Sequence, residues 1–379
     1  MFEIVEKEPT GTVIKVVGVG GAGGNAVDHM IREGVKGVHF ISANTDAQAL
    51  KRCLAPVKVQ LGNTGLGAGS KPEAGRAAAQ ESRDAISAAL EGAHMVFITG
   101  GMGGGTGTGA APVVAEIAKE MGLLTVAVVT KPFDFENRIR VAESGIEELT
   151  RHVDSLIVVL NDKLLEVFGD DAGFEECFRS ADNVLRSAVG GIAEIINVPG
   201  LVNVDFQDVR TAMAEMGRAM MGSAEAAGMD RARIAAEQAA VSPLLEGTEL
   251  SGARCVLINI TASKSLKMSE VRDAVKTVQA FAAPEAFVKY GTVFDDTMED
   301  RIRITVVATG LGAPRARQPV MQVVQGTGTY GPVMGGAVDV TNLDVPAVMR
   351  SGRRTTVEAM STSGVGTYDI PAFLRRQAD

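Results

Sequence analysis

The sequence has no tryptophan, only three tyrosines and only three cysteines among its 379 residues. Binding of nucleic acid in general requires a basic face and stacking groups. Aromatic residues make up only 4% of this chain and its net charge is −9, so no nucleic-acid partner is expected. Cys53, Cys177 and Cys255 are odd in number and far apart. They therefore predict neither a disulfide framework nor a CxxC zinc site.

Long apolar runs are also missing, since none approaches the ~18 residues of a membrane span. The opening segment, "MFEIVEKEPTG", is acidic and short of apolar residues, which is unlike a signal peptide. The four histidines, at positions 29, 39, 94 and 152, show no metal-ligand spacing. We therefore expect a cytoplasmic protein without direct membrane insertion and without a histidine metal site.

What the chain does contain is the alternation of an α/β protein. Five segments rich in β-branched residues resemble buried parallel strands: 13–20, 38–42, 95–100, 123–130 and 156–161. Helical patterns lie between or beside them, at 25–33, 72–90, 110–121 and 142–150. This alternation predicts a Rossmann-like, doubly wound parallel sheet that binds its ligand at the carboxyl ends of the strands.

A long helical pattern over residues 174–197 ends at "NVPG" and leads into a second α/β unit. Its predicted helices are 209–221, 230–241 and 269–281, and its predicted strands are 254–261, 286–294 and 302–309. From about residue 313 the chain is rich in Gly, Pro, Ser and Thr, which is typical of a disordered linker. The expected organisation is an N-terminal extension (1–11), a Rossmann-like domain (12–173), a central connecting helix (174–200), a smaller C-terminal α/β domain (201–312), a flexible linker (313–366) and a terminal peptide (367–379).

Two glycine-rich loops follow predicted strands. The first, "GVGGAGGN", contains Gly18-x-Gly20-x-x-Gly23, and Asp46 lies where a ribose-binding acid would be in a dinucleotide-binding fold. Alone, this loop would suggest an oxidoreductase that uses NAD or a flavin. A tight turn that packs a helix against a strand is the alternative explanation for either loop.

The second loop, "GGMGGGTGTG", begins at Gly100 and runs into a helix. Successive glycine N–H groups and the positive end of a helix form an anion site, to which Thr106 and Thr108 can add hydroxyl donors. It is not a Walker A loop, because the lysine is missing. Two such loops suit a nucleotide with a longer phosphate chain than a dinucleotide has.

The motif "GGGTGTG" is the signature of the tubulin and FtsZ superfamily of GTPases. "VGVGGAGGNAVDHMI", "ANTDAQAL", "TKPFDFE", "LNDKLL" and "VNVDFQDV" resemble the FtsZ family of bacterial cell division more specifically. The resemblance extends over about residues 12–312 and returns at the tail. It implies a self-assembling GTPase that polymerises head-to-tail into dynamic protofilaments, which form the division ring.

The resemblance also implies a GTP/GDP site in residues 12–173. Its phosphate-binding residues would be Gly20, Gly21, Asn25, Asn44, Gly104, Gly105, Thr106, Gly107, Thr108 and Gly109, with Ala68, Gly69 and Ser70 at the γ-phosphate. Ribose and base would contact Glu136, Arg140, Asn161, Phe178 and Asp182. Phe178 could equally be plain core packing, and Asn183 is an alternative to Asp182 as the base reader. Mg²⁺ would be held by the nucleotide and water, without a direct protein ligand.

Neither glycine loop contains a side chain that could activate water, and the resemblance assigns that role to "NVDFQD". Asn203, Asp205 and Asp208 would enter the nucleotide site of the next subunit and complete it. The spacing of Asp205 and Asp208 also suits a helix cap, and the two roles are compatible. A tubulin-like scaffold that hydrolyses GTP poorly is a further alternative, against which these carboxylates argue.

The last segment, "DIPAFLRRQAD", places Ile370, Phe373 and Leu374 at helical spacing. It resembles the C-terminal peptide with which FtsZ proteins bind membrane tethers of the FtsA and ZipA type. Ile370, Pro371, Phe373 and Leu374 would then be the partner-binding residues. The implied location is the mid-cell division site beneath the inner membrane.

Overall fold

The computed structural model describes residues 11–168, 173–198, 202, 204–214, 218–241 and 250–311. The predicted linker and terminal peptide lie outside these residues. In the first half, strands are β1 (Ile14–Val19), β2 (His39–Asn44), β3 (Val57–Gln60), β4 (Met95–Gly101), β5 (Leu124–Lys131) and β6 (Ser155–Leu160). The helices are α1 (Gly20–Arg32), α2 (Ala47–Arg52), α3 (Pro72–Glu81), α4 (Arg83–Leu90), α5 (Thr106–Glu120), α6 (Ile139–Thr150) and α7 (Asn161–Phe168).

The second half begins with the long helix α8 (Phe174–Asn197), which matches the predicted central helix. The elements that follow are α9 (Phe206–Met213), β7 (Arg218–Ala227), α10 (Arg231–Ala240), β8 (Cys255–Ala262), α11 (Met268–Phe281), β9 (Phe287–Phe294) and β10 (Arg301–Leu311). The predicted α/β class is thus confirmed for both halves of the described chain.

The described strands form one sheet in the order β3-β2-β1-β4-β5-β6-β7-β10-β8-β9. Strands β1 to β6 pair in parallel, and β7 joins them in parallel through only two residue pairs, Leu156 with Arg218 and Ile157 with Ala219. Strand β10 is antiparallel to both β7 and β8, and β9 is a parallel edge strand beside β8. Strands β7 to β10 of the second half therefore extend the first sheet, to which they are joined by these two residue pairs.

Helices cover both faces of the first-half strands, which explains their nearly continuous apolar runs. Helix α8 packs on one face, where Val189 and Ile192 share a buried cluster with Val126 of β5. Helix α5 packs on the other, with Val113 and Ile117 fully buried. A separate cluster forms where α10 and α11 cover β8 and β10. Within the described residues, no helix combines the length and the apolar character needed to cross a membrane.

Four helix predictions need correction. The segment 72–90 is two helices with a break at Ser82, whose hydroxyl accepts a hydrogen bond from the Gly62 N–H at 2.9 Å. The helix predicted over 209–221 ends at Met213, because residues 218–221 belong to β7 and pair with β10. Helices α1 and α5 begin at Gly20 and Thr106, several residues before the predicted starts. Much of each glycine loop is therefore the first turn of a helix.

Candidate functional site

A cleft lies at the carboxyl ends of β1, β4, β5 and β6, where the alternation of strands and helices predicts a ligand site. Its floor is backbone from both glycine loops: Gly21, Gly104, Gly105, Thr106 and Gly107. Side chains of Glu136, Arg138, Asn161 and Phe178 form its walls. Of the fifteen residues that line the cleft, eight were expected from the sequence, and Arg138 is the charged residue that was not.

In the first loop, most glycines are required by contacts within the protein. A Cβ at Gly18 would lie 2.3 Å from the Gly23 carbonyl oxygen, and one at Gly23 would lie 2.5 Å from the Thr99 oxygen. Gly20 has a φ of +75° and lies against Gly107, so the two loops pack against each other at this point. A Cβ at Gly21 would meet no atom within 4 Å. Gly21 is therefore the glycine of this loop that faces open space in the cleft.

The glycines of the second loop also divide into those that pack against other atoms of the protein and one that does not. A Cβ at Gly107 would lie 2.4 Å from the Gly101 oxygen, and one at Gly109 would lie 1.9 Å from the Pro72 oxygen. Gly105 similarly abuts Ala68 and the Lys71 backbone, with contacts of 2.9 Å each. Gly104 has nothing within 4 Å. Tight packing of α5 therefore accounts for most of these glycines, and Gly104 is left facing the cleft.

The two threonines of this loop have different positions. Thr108 is buried, and its hydroxyl accepts a hydrogen bond from the Gly103 N–H at 2.8 Å, which closes the loop on itself. Thr106 lines the cleft, and its Oγ1 lies 2.7 Å from that of Thr45. Thr108 and Gly109 lie behind the cleft wall rather than in it. Their contribution to the site is therefore the shape of the loop.

The remaining expected phosphate residues are not among those that line the cleft. Asn44 is buried, and its Oδ1 accepts the Asp46 N–H at 3.2 Å, while Asn25 is exposed on α1. The segment of Ala68, Gly69 and Ser70 leads into α3, and the Ala68 carbonyl accepts the Lys71 N–H at 3.0 Å. Asp46 caps α2 by accepting hydrogen bonds from the Gln48 and Ala49 N–H groups. This cap explains Asp46 without a dinucleotide ribose.

Glu136 lies in the wall of the cleft with both of its carboxylate oxygens engaged. Its Oε1 accepts the Phe133 N–H at 3.0 Å, and its Oε2 forms an ion pair with Arg138. Arg140 is exposed and lines a different groove, beside Arg76 and Glu148 between α3 and α6. The sequence analysis missed Arg138, although the basic run "NRIR" offered two candidates two residues apart.

Asn161 and Phe178 also line the cleft. Asn161 is buried, and its side-chain oxygen has no hydrogen-bond partner, so the amide has unsatisfied capacity beside the cleft. Phe178 packs edge-on against Phe133 with ring centroids 5.5 Å apart, yet keeps 39% of its surface exposed. Phe178 therefore combines core packing with an exposed ring edge or face at the cleft.

Asp182 lies one turn beyond Phe178 on the same side of α8. Burial raises the pKa of the Asp182 carboxyl to about 6, and nearby His29 partly offsets that rise. Asn183 points to α1, where its Oδ1 lies 2.7 Å from His29 Nε2. Neither Asp182 nor Asn183 is among the residues that line the cleft, so the choice between them as the base reader stays a prediction.

The two aspartates expected to be catalytic lie at the start of α9, and neither lines the cleft of its own chain. Asp205 caps the helix by accepting the Asp208 N–H at 2.7 Å. Asp208 forms an ion pair with Lys289 of β9, with Nζ 2.9 Å from Oδ2. Asn203 lies outside the described residues. No sequence pattern indicated Lys289 as the partner of Asp208, because the two residues are 81 positions apart.

Comparison with known proteins identifies two matching family models. The GTPase domain of the Tubulin/FtsZ family matches residues 13–169, and the C-terminal domain of the FtsZ family matches residues 217–312. The chain is 53% identical to a cell division protein FtsZ of Pseudomonas aeruginosa, over the full length of both. It is 51% identical to the corresponding protein of Coxiella burnetii, over 99% of both chains.

Solved structures give the same assignment. A point mutant of FtsZ from M. jannaschii has a TM-score of 0.76 and 43% identity, covering 79% of this chain and 92% of its own. An empty FtsZ dimer of M. jannaschii has the same score and identity, covering 80% of this chain and 89% of its own. The chain therefore belongs to the Tubulin/FtsZ family and, within it, to the FtsZ GTPases of bacterial cell division.

Proposed function

We propose that the cleft binds the phosphates of GTP on backbone N–H groups at the starts of α1 and α5. The support is the open space at Gly21 and Gly104, together with the positive helix ends that favour anions. Asn161 has unused hydrogen-bonding capacity for the ribose or base, and Asp182 can accept hydrogen bonds from guanine. In this proposal residues 12–173 form the nucleotide-binding domain, and α8 connects it to the domain of residues 201–312.

We propose that magnesium reaches this site through the nucleotide. In the described part of the chain, no three His, Cys, Asp or Glu side chains are grouped closely enough to hold a metal ion. Phosphate oxygens and water are the ligands that Mg²⁺ prefers. The ion would therefore be held by phosphates and water, and its chemistry would be to neutralise charge on the phosphate chain.

We further propose that hydrolysis is completed by Asp205 and Asp208 of an adjacent subunit. One observation carries this proposal: among the described cleft-lining residues the only carboxylate is Glu136, and both of its oxygens are occupied. The paired aspartates lie elsewhere, at the start of α9. A head-to-tail contact that brings them to the next cleft does not close on itself, so it produces a filament.

The test is phosphate release by Asp208→Ala, with Asp273→Ala as the control for loss of an exposed acid on α11. We expect Asp208→Ala to bind GTP normally and to lose at least ~100-fold in turnover, the usual range for a lost acid or base. Wild-type and control activity per subunit should rise above a threshold protein concentration. Wild-type turnover in Asp208→Ala would refute the catalytic role of Asp208, and specific activity independent of protein concentration would refute assembly-dependent hydrolysis.

The terminal peptide lies outside the described residues, and its role remains a prediction. We propose that Ile370, Pro371, Phe373 and Leu374 bind membrane tethers of the FtsA and ZipA type, which would place the filaments at mid-cell beneath the inner membrane. Removal of residues 369–379 should abolish co-sedimentation with such a tether and leave assembly with GTP unchanged. Undiminished tether binding by the shortened chain would contradict this role.

A further inference from the structure

The edge strand β9 holds the segment before and at the start of α9 at two points. Near its end, the Thr292 N–H donates to the Val202 carbonyl at 3.0 Å, and the Val202 N–H donates to the Thr292 hydroxyl at 3.2 Å. Nearer its beginning, Lys289 forms the ion pair with Asp208. The backbone at Val202 and the Asp208 carboxylate are therefore both held by β9.

Lys289 is itself held between two groups. Its Nζ lies 5.2 Å from the centroid of the Phe287 ring, two residues earlier on the same face of β9, and 2.9 Å from the Asp208 carboxylate. A cation over an aromatic face is attracted by the ring, so the ring and the carboxylate together restrict the ammonium. About one third of each partner in the ion pair stays exposed, at 34% and 33%. The pair is thus ordered and yet accessible to a neighbouring molecule.

We propose that Lys289 is a positioning residue for GTP hydrolysis, and this inference rests on the proposed function of Asp208. The Asp205 carboxylate already has its orientation set by the Asp208 N–H, whereas the Asp208 carboxylate depends on Lys289 for its own. Two carboxylates that approach a triphosphate are repelled by it, and the ammonium reduces this repulsion at the closest point. Lys289 would therefore act on the rate of the hydrolytic step through Asp208.

A purely structural role for Lys289 makes a different prediction. Partly exposed ion pairs contribute little to folding, so their loss should change stability or assembly slightly and leave turnover by assembled subunits unchanged. A positioning role should instead lower turnover at saturating GTP while binding of GTP, which uses other residues, stays constant. The two roles are separated by measuring turnover and the assembly threshold in the same experiment.

The experiment compares full-length Lys289→Met, Lys289→Arg and Lys276→Met, which removes an exposed lysine from α11 as a charge-matched control. Phosphate release is plotted against protein concentration at saturating GTP, so that the slope gives turnover per assembled subunit and the intercept gives the threshold. For Lys289→Met we expect a slope lower by roughly tenfold, the scale of a misplaced catalytic group, with the intercept and GTP affinity within about twofold of wild type. Lys289→Arg should recover most of the slope, and Lys276→Met should match wild type.

An unchanged slope for Lys289→Met, or a raised threshold with a normal slope, would overturn the proposal. Adding Lys289→Met to Asp208→Ala should cause no further loss, since the lysine acts through that carboxylate, and an additive loss would contradict this. If Asp208→Ala itself turns over GTP normally, the proposed function fails first; if only Lys289→Met is normal, the inference alone fails. Thermal unfolding of each variant shows that it is folded, and Lys289→Gln replaces Lys289→Met if the latter is not.

Discussion

Two substitutions of the same kind, Gly109→Ala and Gly104→Ala, should separate packing from ligand binding in the second glycine loop. Each adds one methyl group within a run of six residues. At Gly109 the new Cβ would lie 1.9 Å from the Pro72 oxygen and 2.7 Å from the Arg76 nitrogen, which are backbone atoms of α3. At Gly104 it would meet nothing within 4 Å.

The magnitude at Gly109 follows from that clash. Helix α3 would have to move away from α5 by roughly an ångström, and overpacking of this kind costs about 1–3 kcal/mol or more. The better helix propensity of alanine returns at most ~1 kcal/mol. We therefore expect Gly109→Ala to lose about 1–2 kcal/mol of unfolding free energy, or roughly 2–8 °C in melting temperature for a domain of this size.

Gly104→Ala should have the opposite profile. Its backbone does not have a positive φ, so alanine brings no strain, and the unliganded protein should keep its stability within about 0.5 kcal/mol. The methyl group would occupy the space in front of the loop and separate a phosphate from its N–H donors. Loss of one charge-assisted hydrogen bond of about 1.5–3 kcal/mol should weaken GTP binding by roughly 10–100-fold.

The assay is urea unfolding of nucleotide-free protein, paired with titration of a fluorescent GTP analogue. A Gly109→Ala protein as stable as wild type would show that the close approach of α3 and α5 is not needed in solution. Wild-type nucleotide affinity in Gly104→Ala would show that the Gly104 N–H does not face the phosphates. Either result would refute the division of this loop into packing glycines and a ligand-facing glycine.

Two further predictions concern pH. Burial raises the pKa of Asp182 to about 6, and only the carboxylate form can accept both guanine hydrogen bonds, so GTP affinity should fall as pH drops through 6. Asp182→Asn should abolish that pH dependence. Because it removes a buried charge, it should also stabilise the unliganded protein at pH 7.5 by up to about 3 kcal/mol in urea unfolding. Arg231, which is buried, lowers the pKa of Glu270 by hydrogen bonding, so this pair should stabilise the fold at neutral pH and lose its effect as pH falls through the lowered pKa. Arg231→Met should cost roughly 3 kcal/mol at pH 7, and this cost in urea unfolding should shrink as pH falls through the lowered pKa of Glu270.

Most strands and helices of the first half were predictable, because each buried strand is a short apolar run and each helix has its own period. Strand β7 was not predictable. Its sequence, "RAMMGSAEAA", is rich in helix-forming alanine, methionine and glutamate, yet it pairs along most of its length with β10. Strand propensity depends strongly on neighbours, and a partner about eighty residues away outweighed the local preference.

The residues of the candidate site also differ in whether local sequence patterns or distant contacts determine their positions. Gly21, Gly104 and Thr106 follow directly on strand ends, so local patterns were enough to place them beside one another. Which glycines serve packing depends on α3, which lies against α5 and contacts Gly109. Whether Arg138 or Arg140 faces the cleft depends on the turn at Asn137, whose φ of +54° redirects the chain just before α6. The spacing of residues in the sequence does not predict a side-chain direction of this kind.

The ion pair of Lys289 with Asp208 couples one of the two proposed catalytic carboxylates to the register of an edge strand. Side chains alternate between the two faces of a strand, so a shift of β9 by one residue would turn Lys289 away from α9. The register is set by eight residue pairs with β8, from Cys255 with Phe287 to Ala262 with Phe294. None of the residues in these pairs lines the cleft. We therefore expect formation of the β8–β9 ladder to be required for hydrolysis and not for GTP binding. The same is expected if the C-terminal half of one subunit completes the site of the adjacent subunit.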